Sequence, residues 1–169
     1  MKMFERLQAK KKDNKGFSLV ELIIVIAIMA ILVGVVGTQV VPYLEKSRKA
    51  KDTQILSAWN TDAMTAYSSN AAILDASKVY TIEITGSAVT AKVAGGDGTT
   101  TAEKTLLSSF CELNGTSDSS GYAFGTKMES KAGKDISKVT IKCGQSTYII
   151  ETIVSNTTSG YTWDPIHSN

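Results

Sequence analysis

The chain has few of the residues that most often perform catalysis or bind metal ions. Its 169 residues include one histidine, His167, which is two residues from the C-terminal end. The two cysteines, Cys111 and Cys143, are wrong in number and spacing for a zinc site. No arrangement of serine, histidine and aspartate typical of nucleophilic catalysis is evident. The sequence therefore predicts a protein that is not an enzyme and that has no cofactor or metal.

The chain also lacks a surplus of positive charge outside its first residues. Residues 1–16 hold six of the eighteen basic side chains and two of the sixteen acidic ones. The remainder has twelve basic and fourteen acidic side chains, which leaves a formal charge of −2. Because a nucleic-acid-binding domain usually carries a basic patch, no specific nucleic-acid partner is predicted.

One long apolar segment dominates the N-terminal part. The twenty-five residues from Phe17 to Val41 include only one charged side chain, that of Glu21. A helix of this length spans roughly 37 Å, more than the ~30 Å hydrocarbon thickness of a bilayer. So long an apolar run argues against the buried core helix of a soluble protein. The segment is predicted to cross a membrane.

Glu21 is the unexpected residue of this segment. A carboxylate at the bilayer centre costs about 2.5–3.5 kcal/mol on insertion scales. A signal anchor, or a signal peptide cleaved near Gly37, accounts for the apolar run but leaves Glu21 unexplained.

The sequence KGFSLVE at residues 15–21 resembles the processing site of type IV prepilins and related pseudopilins. The resemblance implies a leader peptide at 1–16, cleavage after Gly16 by a prepilin peptidase, and N-methylation of Phe17. It also implies that Glu21 remains in the mature subunit. The close resemblance covers about the first 55 residues, and beyond them it rests on architecture.

Cleavage at this point creates a partner for the carboxylate. The new α-amino group of Phe17, four residues before Glu21, has a reference pKa of ~7.7–8.0 and is largely protonated near neutrality. The family implies that Glu21 of one subunit pairs with the Phe17 amine of a neighbour. A buried pair of this kind sets register more reliably than it adds stability. Glu21 and Phe17 are therefore interpreted as assembly residues.

The end of the apolar segment departs from the usual family pattern. A helix-bending proline is expected about four residues before Pro42, where this chain has Thr38. Gly34 and Gly37 lie nearby, and glycine weakens a helix by about 1 kcal/mol relative to alanine. The segment from Gly34 to Pro42 is either a helix bend that acts when subunits pack or a plain membrane exit.

Basic residues lie on both sides of the apolar segment. Lysines precede it at positions 10, 11, 12 and 15, and positive flanks favour the cytoplasmic side. Four more basic side chains follow it and reduce this bias: Lys46, Arg48, Lys49 and Lys51. The predicted topology is a single pass through the cytoplasmic membrane with the N-terminus inside.

The remainder of the chain is predicted to form a globular head. Residues 43–74 continue the helix, because Ile55, Trp59, Ala63 and Ala66 recur at spacings of three and four. One helix from Phe17 to near Asn70 is expected, with Trp59 as a core anchor and a Glu45–Lys49 pair on its surface.

Residues 75–169 have the two-residue period of β-strands. A hairpin is predicted from Tyr80 to Val93, followed by a glycine-rich surface loop at 95–101. Later strands are predicted at Tyr122–Met128, Val139–Cys143 and Thr147–Val154, with a turn at Gly144-Gln145. The expected class is α+β, a pilin fold in which the C-terminal half of the long helix packs on an antiparallel sheet.

The resemblance also bears on the two cysteines, because pilins often have a disulfide in the variable C-terminal region. A Cys111–Cys143 bridge would close a loop of about thirty residues, worth ~3–4 kcal/mol in the chain-entropy model. The alternative is a pair of buried thiols.

The resemblance implies the structural subunit of a type IV pilus, first in the membrane and then in an extracellular filament. Its implied partners are identical subunits, the prepilin peptidase, and a membrane assembly platform with its ATPase. Adhesion, twitching motility and biofilm formation are the implied roles. The alternatives are a type II secretion pseudopilin or minor pilin, and a membrane-tethered binding domain that never polymerises.

Overall fold

The computed structural model describes residues 16–116 and 121–168. The chain divides into two compact units between Pro42 and Tyr43. The lysines at 10–15 and all but the last residue of the predicted leader lie outside the described residues. The leader boundary at Gly16 and the other domain boundaries stay predictions.

The first element is one long helix, α1 (Leu19–Ser69), which contains Pro42. It ends where Asn70 donates a side-chain hydrogen bond to the carbonyl of Ala66 at 2.8 Å. This bond satisfies one of the last carbonyl groups, which have no partner within the helix. The predicted helix from Phe17 to near Asn70 is confirmed.

Within the described residues, five strands form a single sheet with spatial order β2-β1-β3-β4-β5, and every neighbouring pair is antiparallel. The strands are β1 (Tyr80–Thr85), β2 (Val89–Val93), β3 (Ile136–Cys143), β4 (Ile150–Asn156) and β5 (Ile166–Ser168). A long helix followed by an antiparallel sheet is an α+β arrangement as in pilins, and the predicted fold class is confirmed.

The core of the head lies between the second half of α1 and the sheet. On α1, Trp59, Ala63 and Ala66 are buried as predicted, but the residue that completes the stripe is Leu56, and the predicted Ile55 is only partly buried against the core. Alternate residues of β1 are buried in the same cluster, as the two-residue period requires. Trp59 is a core residue, as expected, and its ring centroid lies 4.6 Å from that of Tyr122.

The predicted hairpin is confirmed by the register of β1 and β2, which pairs Tyr80 with Val93 and Ile84 with Val89. The predicted turn between β3 and β4 is too short. Gly144 begins it with a φ of 85°, and its N–H donates to the carbonyl of Ile149 at 2.8 Å. A Cβ at Gly144 would stand 2.7 Å from the Tyr67 hydroxyl, so the position also requires a small residue.

The predicted strand at Tyr122–Met128 is wrong. This stretch contains a short helix, α3 (Phe124–Lys127), closed by the hydrogen bond from the Met128 N–H to the Phe124 carbonyl at 2.9 Å. Tyr122, Phe124 and Met128 are all buried. Burial of alternate side chains resembles a strand pattern, but here Phe124 and Met128 lie one helical turn apart.

A second helix of the head, α2 (Thr101–Leu113), was not predicted. Thr100 caps it and forms a capping box with Glu103: the Glu103 N–H donates to the Thr100 hydroxyl, and the Thr100 N–H donates to the Glu103 carboxylate. The same carboxylate accepts from the Val93 N–H at 2.8 Å, which ties the helix to β2. The glycine-rich loop therefore leads into the N-terminus of a helix. The T-x-x-E pattern at residues 100–103 is a sequence signal for such a helix start.

One buried carboxylate attaches the segment after α3 to the long helix. Asp52 of α1 accepts hydrogen bonds from the N–H of Glu129 at 2.8 Å and from the N–H and the hydroxyl of Ser130. Ser130 in turn caps a short helix, α4 (Lys131–Lys134), by accepting from the Gly133 N–H at 2.8 Å. A buried carboxylate is tolerated because its oxygens are hydrogen-bonded in this way.

The predicted ion pair between Glu45 and Lys49 is absent. Instead, the Glu45 carboxylate accepts from the N–H of Lys131 and lies 3.9 Å from the guanidinium of Arg48. The Lys131 N–H belongs to the first turn of α4, whose N–H groups have no partner within the helix. The Glu45 carboxylate binds this fixed N–H in preference to the solvated ammonium group of Lys49, because exposed ion pairs contribute little to stability.

The C-terminal tail packs against the head. Lys49 donates to the Thr162 carbonyl at 2.8 Å, and its ammonium lies 5.0 Å from the Trp163 ring centroid. The Trp163 indole donates to Asn156 at 2.8 Å, and β5 pairs with β4. Trp163 therefore contacts the head through both its ring and its indole N–H.

Candidate processing and assembly site

The predicted cleavage site lies immediately before α1. Gly16 and Phe17 precede the helix, and the Phe17 side chain is 84% exposed. A Cβ built on Gly16 meets nothing within 4 Å. The fold of the described chain therefore does not require glycine at this position.

Glu21 lies in the first turn of α1 and caps that helix. Its carboxylate accepts from the Ser18 N–H at 2.9 Å, while the Ser18 hydroxyl accepts from the Val20 N–H at 3.3 Å. The Ser18 carbonyl accepts the first helical bond, from the Leu22 N–H at 3.2 Å. An acidic side chain at this end is also favoured by the helix dipole. The carboxylate thus has a local partner in the same chain.

Ser18 is the residue of this site that sequence reasoning missed. The tetrapeptide from Ser18 to Glu21 has the S-x-x-E spacing of a capping box. That signal predicts both the start of α1 and the intrachain bond of the glutamate.

The apolar half of α1 is exposed along its whole length. It is the one helix of the described chain that is long and apolar enough to cross a membrane, with a mean hydropathy of 3.1 over its most apolar window and none of that window buried. A shallow apolar groove runs along part of this surface, lined by Leu32, Val33, Val36, Gly37, Val40 and Val41. Such a continuous apolar surface is stable in lipid or against other apolar helices, and not in water.

The predicted bend residues lie within continuous helix. α1 runs through Gly34, Gly37 and Pro42 without a break, and a Cβ at either glycine meets nothing within 4 Å. Proline has no N–H, so the carbonyl of Thr38 lacks its usual helical donor. The hydroxyl of Thr38 donates to the Val35 carbonyl at 2.9 Å. A bend that forms when subunits pack stays a prediction.

The predicted disulfide is not formed. Cys111 on α2 and Cys143 at the end of β3 are both buried thiols. Burial raises the pKa of Cys143 to about 12. The alternative of two buried thiols is therefore the arrangement observed. Among the described residues, no group of three or more histidine, cysteine, aspartate or glutamate side chains is placed to hold a metal ion.

Comparison with protein families gives one match. Residues 11–37 match the prokaryotic N-terminal methylation motif, which is the prepilin-type motif. The match includes Gly16, Phe17 and Glu21, and it supports a type IV pilin-like prepilin. The motif is structural and does not define an enzyme family. Comparisons with curated proteins and with solved structures each found no match.

Proposed function

We propose that this chain, a prepilin-like protein by its N-terminal motif, is a structural subunit of a type IV pilus. The observation that carries the proposal is the methylation motif at 11–37 joined to an exposed apolar helix. In this proposal a prepilin peptidase cleaves after Gly16 and methylates Phe17. The helix first anchors the subunit in the cytoplasmic membrane and afterwards forms the core of an extracellular filament.

The proposed role of Glu21 follows from its position at the exposed start of α1. Its present partner is the Ser18 N–H at 2.9 Å. A carboxylate has two oxygens and about four acceptor sites, so it can keep this bond and also accept from the Phe17 amine of another subunit. The intrachain bond holds the carboxylate at the helix end, and the interchain pair then sets the register of the polymer.

Polymerisation of this kind needs an external source of energy. Moving the apolar half of α1 from lipid to a bundle of like helices gains packing and charge pairing but buries little new surface from water. Extraction from the membrane is therefore proposed to depend on an ATPase and a membrane platform. Adhesion, twitching motility and biofilm formation are the proposed uses of the filament.

Two measurements test the proposal. Mass spectrometry of the mature N-terminus should find a chain that begins with methylated Phe17. Fibres sheared from the cell surface should contain the chain as their main component, and antibodies against the head should label them along their length. A mature chain that retains residues 1–16 contradicts the processing step. A signal confined to the membrane contradicts assembly, and favours a pseudopilin or a tethered binding domain.

A further inference from the structure

A group of exposed basic side chains lies on the head, and part of this group follows the apolar segment closely in the sequence. Two chain segments contribute: Lys46, Arg48 and Lys51 come from α1, whereas Lys127, Lys131 and Lys134 come from α3 and α4. All six side chains are exposed. We call this group the basic base. Its members from α1 are three of the four basic residues that reduce the charge bias across the apolar segment.

The two halves of the basic base are held together by the contacts that fix α4 to α1. Asp52 accepts hydrogen bonds from two consecutive N–H groups, those of Glu129 and Ser130. Lys51 forms an ion pair with Glu129 at 3.1 Å. As a result, Arg48 and Lys134, far apart in sequence, line the same surface pocket of about 360 Å³.

The positive charge of the basic base is only partly neutralised. Its acidic neighbours are Glu45, which lies 3.9 Å from Arg48, and Glu129, which pairs with Lys51. Asp52 is fully buried, and its oxygens are used by backbone and hydroxyl donors. Asp135 accepts instead from the N–H of Thr158 at 2.8 Å. Within the described chain, Lys46, Lys131 and Lys134 have no carboxylate within ion-pair distance.

The sequence places this charge close to the membrane surface. Four residues separate Val41, the last of the apolar segment, from Lys46, and six separate it from Arg48. A helix advances ~1.5 Å per residue, so a helical path from Val41 to either cation is about 10 Å or less. The headgroup layer is roughly 5–7 Å thick on each side, and charges interact over a Debye length of about 8 Å in physiological salt.

We propose that the basic base docks on the phosphate groups of anionic phospholipids at the membrane surface while the subunit is unassembled. Arg48 and Lys134 supply two cations to one headgroup phosphate in their shared pocket, and Glu129, which also lines this pocket, pairs with Lys51. Lys46 and Lys131 add attraction from the surrounding surface. A lipid surface is favoured over nucleic acid because the cations adjoin a membrane segment and the head as a whole has no positive surplus.

The test uses the full chain in lipid nanodiscs, either of phosphatidylcholine alone or of equal parts phosphatidylcholine and phosphatidylglycerol. Hydrogen–deuterium exchange is followed by mass spectrometry in the peptides that cover 124–134. Phosphatidylglycerol should slow exchange there, and about 1 M NaCl, where the Debye length is about 3 Å, should remove the effect.

Charge variants identify the cations. The double variant Arg48→Gln/Lys134→Gln should weaken the lipid-dependent protection by roughly fivefold for each cation removed. The matched control Lys78→Gln/Lys104→Gln removes two exposed charges elsewhere on the head and should keep full protection. Circular dichroism establishes that each variant is folded, and Lys46→Gln/Lys131→Gln serves as a second test if the first variant is not.

Other results overturn the proposal. Equal exchange in the two lipid compositions, or full protection in both basic-base variants, excludes docking on anionic lipid. Equal protection by inorganic phosphate in phosphatidylcholine discs indicates a site for free anions, and stronger protection by duplex DNA indicates a nucleic-acid surface. Because the measurement uses single anchored chains, its outcome is independent of whether the chain forms pili.

Discussion

The carboxylate of Glu21, in the first turn of α1, accepts a hydrogen bond at 2.9 Å from the backbone N–H of Ser18, the residue just before that helix. The acidic residue therefore has a partner before any second subunit is present. This bond holds the carboxylate at the start of α1, where Glu21 would be the fifth residue of a chain cleaved after Gly16. The side chain thus has an observed role in helix capping and a proposed role in pairing between subunits. Substitutions at Glu21 and at Ser18 test these roles.

Glu21→Ala is expected to abolish surface filaments while leaving cleavage after Gly16 intact, because it removes the carboxylate that is proposed to pair with the amine of a neighbour. Ser18→Ala is the matched control: it removes the capping hydroxyl but keeps both the carboxylate and the N–H that holds it. Immunoblots of sheared fibres and of whole cells measure assembly and processing. Normal filament yield from Glu21→Ala would refute the assembly role.

Gly16→Leu is expected to block removal of the leader without changing the stability of the head. The position has open space, so the fold accepts a larger side chain, and only the enzyme is expected to reject it. Gly34→Ala, also in open space, is the control that should be processed normally. The intact mass of the purified chain reports cleavage. A mature mass from Gly16→Leu would show that another feature directs the cut.

Gly133→Ala is expected to destabilise the head by about 1–3 kcal/mol, the usual cost of forcing extra volume into a packed site. A Cβ at this position would overlap the Asp52 carboxylate and stand 2.7 Å from the Cβ of Met128. Gly125→Ala is the control, because a Cβ there meets nothing within 4 Å. Urea denaturation in detergent micelles measures both. Equal stability of the two variants would mean that Asp52 does not hold α4 closely.

Acid should weaken the attachment of α2 to β2. Hydrogen bonds from Thr100, and then from Val93, hold the pKa of Glu103 below its usual value of 4.5. Because the folded-state pKa is lowered, this stabilisation is complete above about pH 4.5 and is lost as the pH falls through the lowered pKa. Glu103→Gln should cost about 1–3 kcal/mol at neutral pH, since a buried donor loses its acceptor.

The same variant should also reduce the fall in unfolding free energy between pH 7 and pH 3. Glu112→Gln, exposed on the same helix, is the control and should keep the pH dependence of the native chain. Denaturation curves at several pH values give the comparison. An unchanged acid dependence in Glu103→Gln would assign the effect to other carboxylates.

Cys143 is expected to resist alkylation in the folded protein. Its thiol is buried and its pKa is raised to about 12, so little thiolate exists at pH 8. Maleimide should modify Cys143 only after the protein is denatured, and the modification should not need a reducing agent. Peptide mass spectrometry measures the modification. Modification that requires prior reduction would indicate a disulfide in the natural protein.

The long-range contacts of the head were the part that sequence reasoning predicted least well. The central strands and the face of α1 that packs on them were predicted, because burial on one side leaves a period in the sequence. The segment at 122–128 was assigned to the wrong element, since three buried residues fit either period. The predicted partner of Glu45 was also wrong, because the N–H group that its carboxylate binds belongs to Lys131, which is 86 residues away in the sequence.

The sequence alone determined the N-terminal site, since its signals are local: a cleavage motif, a capping pattern and an apolar run all lie within the first 41 residues. Only the tertiary structure decided which groups donate hydrogen bonds to the Asp52 carboxylate. Those bonds in turn bring Arg48 and Lys134 to one pocket. The Glu129 N–H lies 77 residues from its acceptor. Contacts at such separations depend on how whole elements pack, and no local pattern encodes them.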